Sequence, residues 1–125
     1  MKSTFYYGNF TQDGLHGQNH GWIIGKFMEA GPRSTDDLEI KYWEYPKGPA
    51  DHDYKSSATI EVTFILKGAT RAEVDGEEIV LSAGDYVIIQ PGTPNNTVLE
   101  VLADAAGLTV KAPSDPGAKK VIPRD

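Results

Sequence analysis

Glu61 is the side chain in this sequence best placed to do chemistry. It stands in the alternating run 59–67 (TIEVTFILK), where Thr59, Glu61, Thr63 and Ile65 share one face of a strand and Ile60, Val62, Phe64 and Leu66 share the other. A carboxylate on a face otherwise built of threonines and an isoleucine is cut off from water, which suits it to general acid or base work near neutral pH. The competing reading is a structural carboxylate held by hydrogen bonds, since buried acids mark functional sites only statistically. Asp51-His52-Asp53 has the residue types of a triad or a metal site, yet it sits in a polar stretch and reads as a solvated turn at a pocket mouth. His16 and His20 are four apart, but Gly14, Gly17 and Gly21 argue against the helix that would align them, so they read as loop residues. Ser34-Thr35-Asp36-Asp37 has turn chemistry and no partner base.

The elements that position these groups are strands. Thirteen glycines and eight prolines cut the chain into short segments with little helical periodicity between them. Strands are predicted over 38–45, 59–67, 70–74, 77–81, 85–90, 97–102 and 107–111, with a further one over 22–28. Asp75-Gly76 between two of them is the dipeptide a type I′ hairpin favours, because both positions need positive φ. Residues 13–21 read as a flexible loop, and 113–125, with three prolines, as an extended, weakly ordered tail. Short strands at regular spacing predict an all-β antiparallel sandwich or barrel.

The whole chain is read as one domain: 125 residues bury about two-thirds of their surface in a single core. Twelve basic against eighteen acidic residues leave a formal charge of -6, which works against nucleic acid as a partner. The absence of cysteine excludes disulfides, thiolate metal sites and thiol nucleophiles. No signal-like apolar start and no run of about eighteen apolar residues is present, so a soluble cytoplasmic protein without membrane contact is expected.

The segment from Gly48 to Asn95 resembles the cupin family of jelly-roll barrels, whose two motifs supply metal ligands. The first family motif is Gly, five residues, His-x-His, three or four residues, Glu, six residues, Gly. Here Gly48 is followed after five residues by Tyr54-Lys55-Ser56, then four residues, Glu61, six residues and Gly68. The second is Gly, five residues, Pro-x-Gly, two residues, His, three residues, Asn, against Gly84, five residues, Gln90-Pro91-Gly92, two residues, Asn95, three residues and Leu99. The connecting stretch from Val74 to Tyr86 is also similar to that of cupins. The resemblance implies a cupin-type antiparallel jelly-roll β-barrel with its core over 38–111, N-terminal strands within 1–37 and the tail 113–125 outside it.

The family's ligand positions carry Tyr54, Ser56, Glu61 and Asn95, so only the glutamate remains. Hydroxyls and an amide are poor replacements for imidazole, and neither a metal nor another cofactor is expected. The resemblance instead implies a small polar molecule bound in the barrel interior by Tyr54, Ser56, Gln90 and Asn95, with Trp43, Tyr42 or Tyr86 as flat walls. The same aromatics also suit plain core packing. The alternative is a cupin-type enzyme, an isomerase, epimerase, lyase or oxygenase-like protein, using Glu61 as acid or base or pairing it with His52 at a metal. The apolar face of 59–67 needs a cover: the other sheet, the N-terminal strands or a second subunit. A two-fold homodimer is expected.

Overall fold

Two long strands carry the architecture. β5 (Ile60–Val74) and β8 (Asn95–Ala112) run antiparallel, from Ile60 opposite Ala112 to Val74 opposite Asn95. Their register breaks repeatedly between Ile65 and Thr70, and there both strands bend. Gly68 permits the bend. Its φ is 73°, and a Cβ there would lie 2.6 Å from the Ala103 carbonyl oxygen, closer than any side chain tolerates.

On one side of the bend, β5 pairs with β7 (Tyr86–Ile89) and the last third of β8. β2 (Glu39–Tyr45) lies on the far edge of β8, with β1 (Trp22–Ile24) beyond it. On the other side, Ala69 to Val74 pairs with β6 (Glu77–Ser82) and with the first part of β8. β3 (Gly48–Pro49) and β4 (Lys55–Ser57) add to β8, and β9 (Lys119–Val121) to β4. The two halves fold over each other into an all-β antiparallel jelly roll. Trp43, Ile65, Ala72, Leu81, Val98, Val101 and Ala105 fill the space near the bend. The strand ends away from the bend carry polar residues inward.

The computed structural model describes residues 4–17 and 19–123. Met1, Lys2, Ser3, Gln18 and the last two residues of the expected tail, Arg124 and Asp125, lie outside it. The expected hairpin is present, with Asp75 and Gly76 at φ 51° and 83° and Val74 opposite Glu77. Other boundaries differ. The predicted strands 59–67 and 70–74 are one strand, β5, and 97–102 and 107–111 are one strand, β8, because the bend does not interrupt either. The strand expected over 22–28 ends at Ile24, where Gly25 turns and bonds through its N–H to the Arg33 carbonyl at 3.0 Å. The loop expected over 13–21 overlaps a single π-type helical turn, Phe10–Leu15, capped by Asn9 Oδ1, which accepts from the N–H groups of Thr11 and Gln12. The expected extended tail contributes a paired strand, β9. No helix among the described residues is long and apolar enough to cross a membrane.

Alternation along β5 sends Glu61, Thr63 and Ile65 inward, at 2, 0 and 1% exposure. Phe64 and Leu66 point outward and are 37 and 48% exposed, so neither the other sheet nor the N-terminal segment covers them as expected. That segment instead covers the neighbouring strand, where Phe10 stacks on Tyr42 with ring centroids 4.9 Å apart.

Candidate functional site

The inward strand ends bring one carboxylate and two ammonium groups together. Glu61 lies on β5 opposite Lys111 of β8, whose Nζ is 3.7 Å from Glu61 Oε1. Lys55 lies on β4 opposite Asn95 of β8 and reaches across the barrel. Its Nζ donates to Glu61 Oε1 at 3.2 Å and to Asn95 Oδ1 at 3.1 Å, with Glu61 Oε2 at 3.5 Å. Asn95 is held in that orientation because its Nδ2 donates to the Thr93 carbonyl at 3.0 Å, which leaves the oxygen facing the ammonium. Burial pushes the Lys55 amine below its ordinary value, outweighing the opposing pull of Glu61, and the charge of Lys111 adds to the lowering.

Further cations stand close by. Lys41 of β2 lies opposite Thr109 of β8 and places its Nζ 5.8 Å from the Trp22 ring centre. Burial first, then the charges of Lys119 and Lys111, hold Lys41 below the usual lysine value. Lys119 of β9 pairs with Asp53 at 3.6 Å. His52 meets Tyr45 edge-on at 4.8 Å, and partial burial, then Lys41 and Lys119, keep its imidazole below the usual histidine value. Behind these groups Trp43 donates through Nε1 to Thr109 Oγ1 at 3.2 Å and stacks on Tyr45. Thr63, opposite Thr109, buries an Oγ1 with no hydrogen-bond partner among the described residues.

The structure therefore brings together Glu61 and Asn95 of the residues singled out from sequence, while Trp43 packs in the core with Ile65, Leu81 and Val98. Ser56 is displaced from that group: β4 turns Lys55 and Ser57 to one face and Ser56 to the other, and Tyr54 directly precedes the strand. A register difference of one residue exchanges the faces of a strand, so Lys55, midway between the two expected positions, is the residue that enters the barrel. Tyr42 is buried on the outer side beneath Phe10, and its hydroxyl donates to Glu44 at 2.7 Å. Tyr86 is 61% exposed on the outer face beside Phe64. Gln90 is exposed and closes the turn before β8, its carbonyl accepting from the Thr93 N–H. His16 and His20 are exposed loop residues. Lys41, Lys55 and Lys111 are not singled out by the sequence, and the sequence signal for Lys55 is its place inside the first motif.

The donor set does not fit a transition metal. No group of three or more His, Cys, Asp and Glu side chains that could hold an ion occurs among the described residues, and His52 is not brought into one with Glu61. A cavity of about 650 Å³ lies elsewhere, between the N-terminal segment and the β1–β2 edge, lined in part by Phe5, Tyr6, Ile23, Ile24, Leu38 and Ile40. It contains none of the lysines described above.

A family model described as the cupin domain matches residues 41–100. No curated protein sequence is significantly similar to the chain. Among solved structures, a dimethylsulfoniopropionate (DMSP) lyase, DddQ, from Ruegeria pomeroyi DSS-3 superposes with a TM-score of 0.64 at 21% identity, over 78% of this chain and 49% of that one. KdgF from Halomonas sp. gives 0.58 at 21% identity, over 66% of this chain and 74% of that one. Oxalate decarboxylase from Bacillus subtilis gives 0.57 at 14% identity, over 70% of this chain and 24% of that one. These likenesses are of fold.

Proposed function

We propose that this chain, a cupin by its match to the cupin-domain model over residues 41–100, uses the barrel interior to bind a small organic anion, a carboxylate in particular, without a transition metal. One observation carries this reading. Lys111 and Lys119 are near enough to influence both Lys41 and Lys55 in a protein of net charge -6, while the carboxylates paired with these lysines are Glu61 and Asp53, and buried Glu39 stands opposite Lys111. Among the described residues, Lys41 has no carboxylate within 4.0 Å. Such a concentration of positive charge, with Lys55 and Lys111 largely buried and Lys119 at the exposed rim, attracts a counter-anion. Tyr45, partly buried, stacked on the core residue Trp43 and met edge-on by His52, supplies a flat wall. In this reading Glu61 is the counter-charge that lets the lysines remain ionised inside the barrel.

Calorimetric titration with acetate and succinate against acetamide and succinamide tests this. The acids are expected to bind and the amides to give no heat of binding. Lys41→Met is expected to weaken the acids about 10-fold or more, the usual worth of a hydrogen bond to a charged group. The pH dependence has a definite sign. These carboxylates are ionised above about pH 5 to 6, so affinity is level around neutrality. It then falls before the ordinary lysine value of 10.5 is reached, because Lys41 loses its proton early. Equal binding of acid and amide contradicts the reading, as does full affinity in Lys41→Met.

A further inference from the structure

We infer that the Lys55 ammonium is a covalently tethered replacement for the metal ion of this fold, occupying the place between the retained glutamate and the second-motif residue. This goes beyond the anion-binding reading and does not depend on it. Of the family's four ligand positions, Glu61 and Asn95 are the two whose side chains meet in the barrel, and what they meet is Lys55 Nζ. The contacts, 3.2 and 3.1 Å, are ordinary lengths for a charged N–H donor to oxygen. A transition metal would need those oxygens at about 2.0–2.2 Å, in the space the ammonium fills.

The surrounding construction favours the ammonium. β4 sets Lys55 directly opposite Asn95, so the side chain is delivered across a cross-strand pair rather than from a mobile loop. Thr93 fixes the Asn95 amide with its oxygen toward the cation. Lys111 stands on the other flank of Glu61 at 3.7 Å, and a second positive charge there repels a divalent ion further. A metal would be lost to a chelator, whereas this charge is part of the chain. An ammonium has three N–H donors, and here they are directed at Glu61 Oε1, Asn95 Oδ1 and, more weakly at 3.5 Å, Glu61 Oε2.

The test compares metal uptake by Lys111→Met, which keeps Lys55, with uptake by Lys111→Met combined with Lys55→His. Each protein is equilibrated with zinc, nickel or manganese, desalted and assayed for metal, and its thermal transition is recorded. Wild type and Lys111→Met are expected to retain almost none and to be insensitive to chelator. The combined variant is expected to retain about one ion per chain, held by the introduced imidazole, Glu61 and Asn95. Stoichiometric metal in wild type or in Lys111→Met would overturn the inference, and so would a folded combined variant that takes up no more than they do. Because that variant removes both cations from Glu61 and can lose its fold, a second measurement uses wild type. Reductive methylation, mapped by mass spectrometry, is expected to leave Lys55 unmodified when the exposed Lys47, Lys67 and Lys120 have reacted fully. Reaction of Lys55 at the rate of those three would overturn the inference, whereas loss of anion binding alone would contradict only the functional reading.

Discussion

Replacing Glu61 by alanine is expected to destabilise the protein by about 3–5 kcal/mol, the usual cost of breaking a buried ion pair. Glu61 is 2% exposed, and Lys55 and Lys111 both face it at 3.2 and 3.7 Å. Its removal leaves two largely buried ammonium groups without a counter-charge. For a chain of this size the melting temperature should fall by roughly 10–25 °C. The loss belongs to the unpaired lysines rather than to the carboxylate, so Glu61→Leu with Lys55→Met and Lys111→Met should recover most of it. Denaturant unfolding of the two proteins checks this, and a loss below about 1 kcal/mol in Glu61→Ala, the range of exposed pairs, would show that the pair is solvated in solution.

Gly68→Val is expected to abolish folding. At φ 73° a β-branched residue is strained, and its Cβ would lie 2.6 Å from the Ala103 carbonyl oxygen, in the backbone of the partner strand. Neither β5 nor β8 can yield without opening the bend that makes one sheet into two facing halves. The comparison is Gly76→Asn. That glycine has φ 83° with nothing within 4 Å of a Cβ, and asparagine tolerates the left-handed region. It should cost about 1 kcal/mol or less. Soluble expression and the thermal transition separate the two, and a cooperatively folded Gly68→Val would show that the bend does not depend on this residue.

Much of the fold was legible because its punctuation is local. Asp75-Gly76 states its turn type through backbone sterics, and the alternation of 59–67 states that Glu61, Thr63 and Ile65 share a face. The continuity of β8 was not legible, since a bend produced by packing leaves the same gap in the pattern as a turn. Nor was the pairing of β9 with β4, which is a contact between segments more than sixty residues apart and is set by tertiary fit. The site divides in the same way. Glu61 was visible as a charge on an inward face. Lys55 was hidden because a motif counted along the chain assigns positions, while the strand's register assigns faces. Lys41 and Lys111 look like solvated charges in sequence, and only the closing of β2 and β5 onto β8 turns them inward.

In the proposals above, Lys55 fills the place of a metal ion and the lysines around it receive an anion. The most direct measurement is the side-chain ammonium spectrum of ¹⁵N-lysine-labelled protein, recorded alone and during titration with succinate and succinamide, with Lys55→Arg used to assign the signal. A slowly exchanging Lys55 ammonium resonance near neutral pH is expected, distinct from the surface lysines, that shifts with succinate and not with succinamide. A Lys55 ammonium exchanging as fast as Lys47, unmoved by either compound, would contradict both proposals.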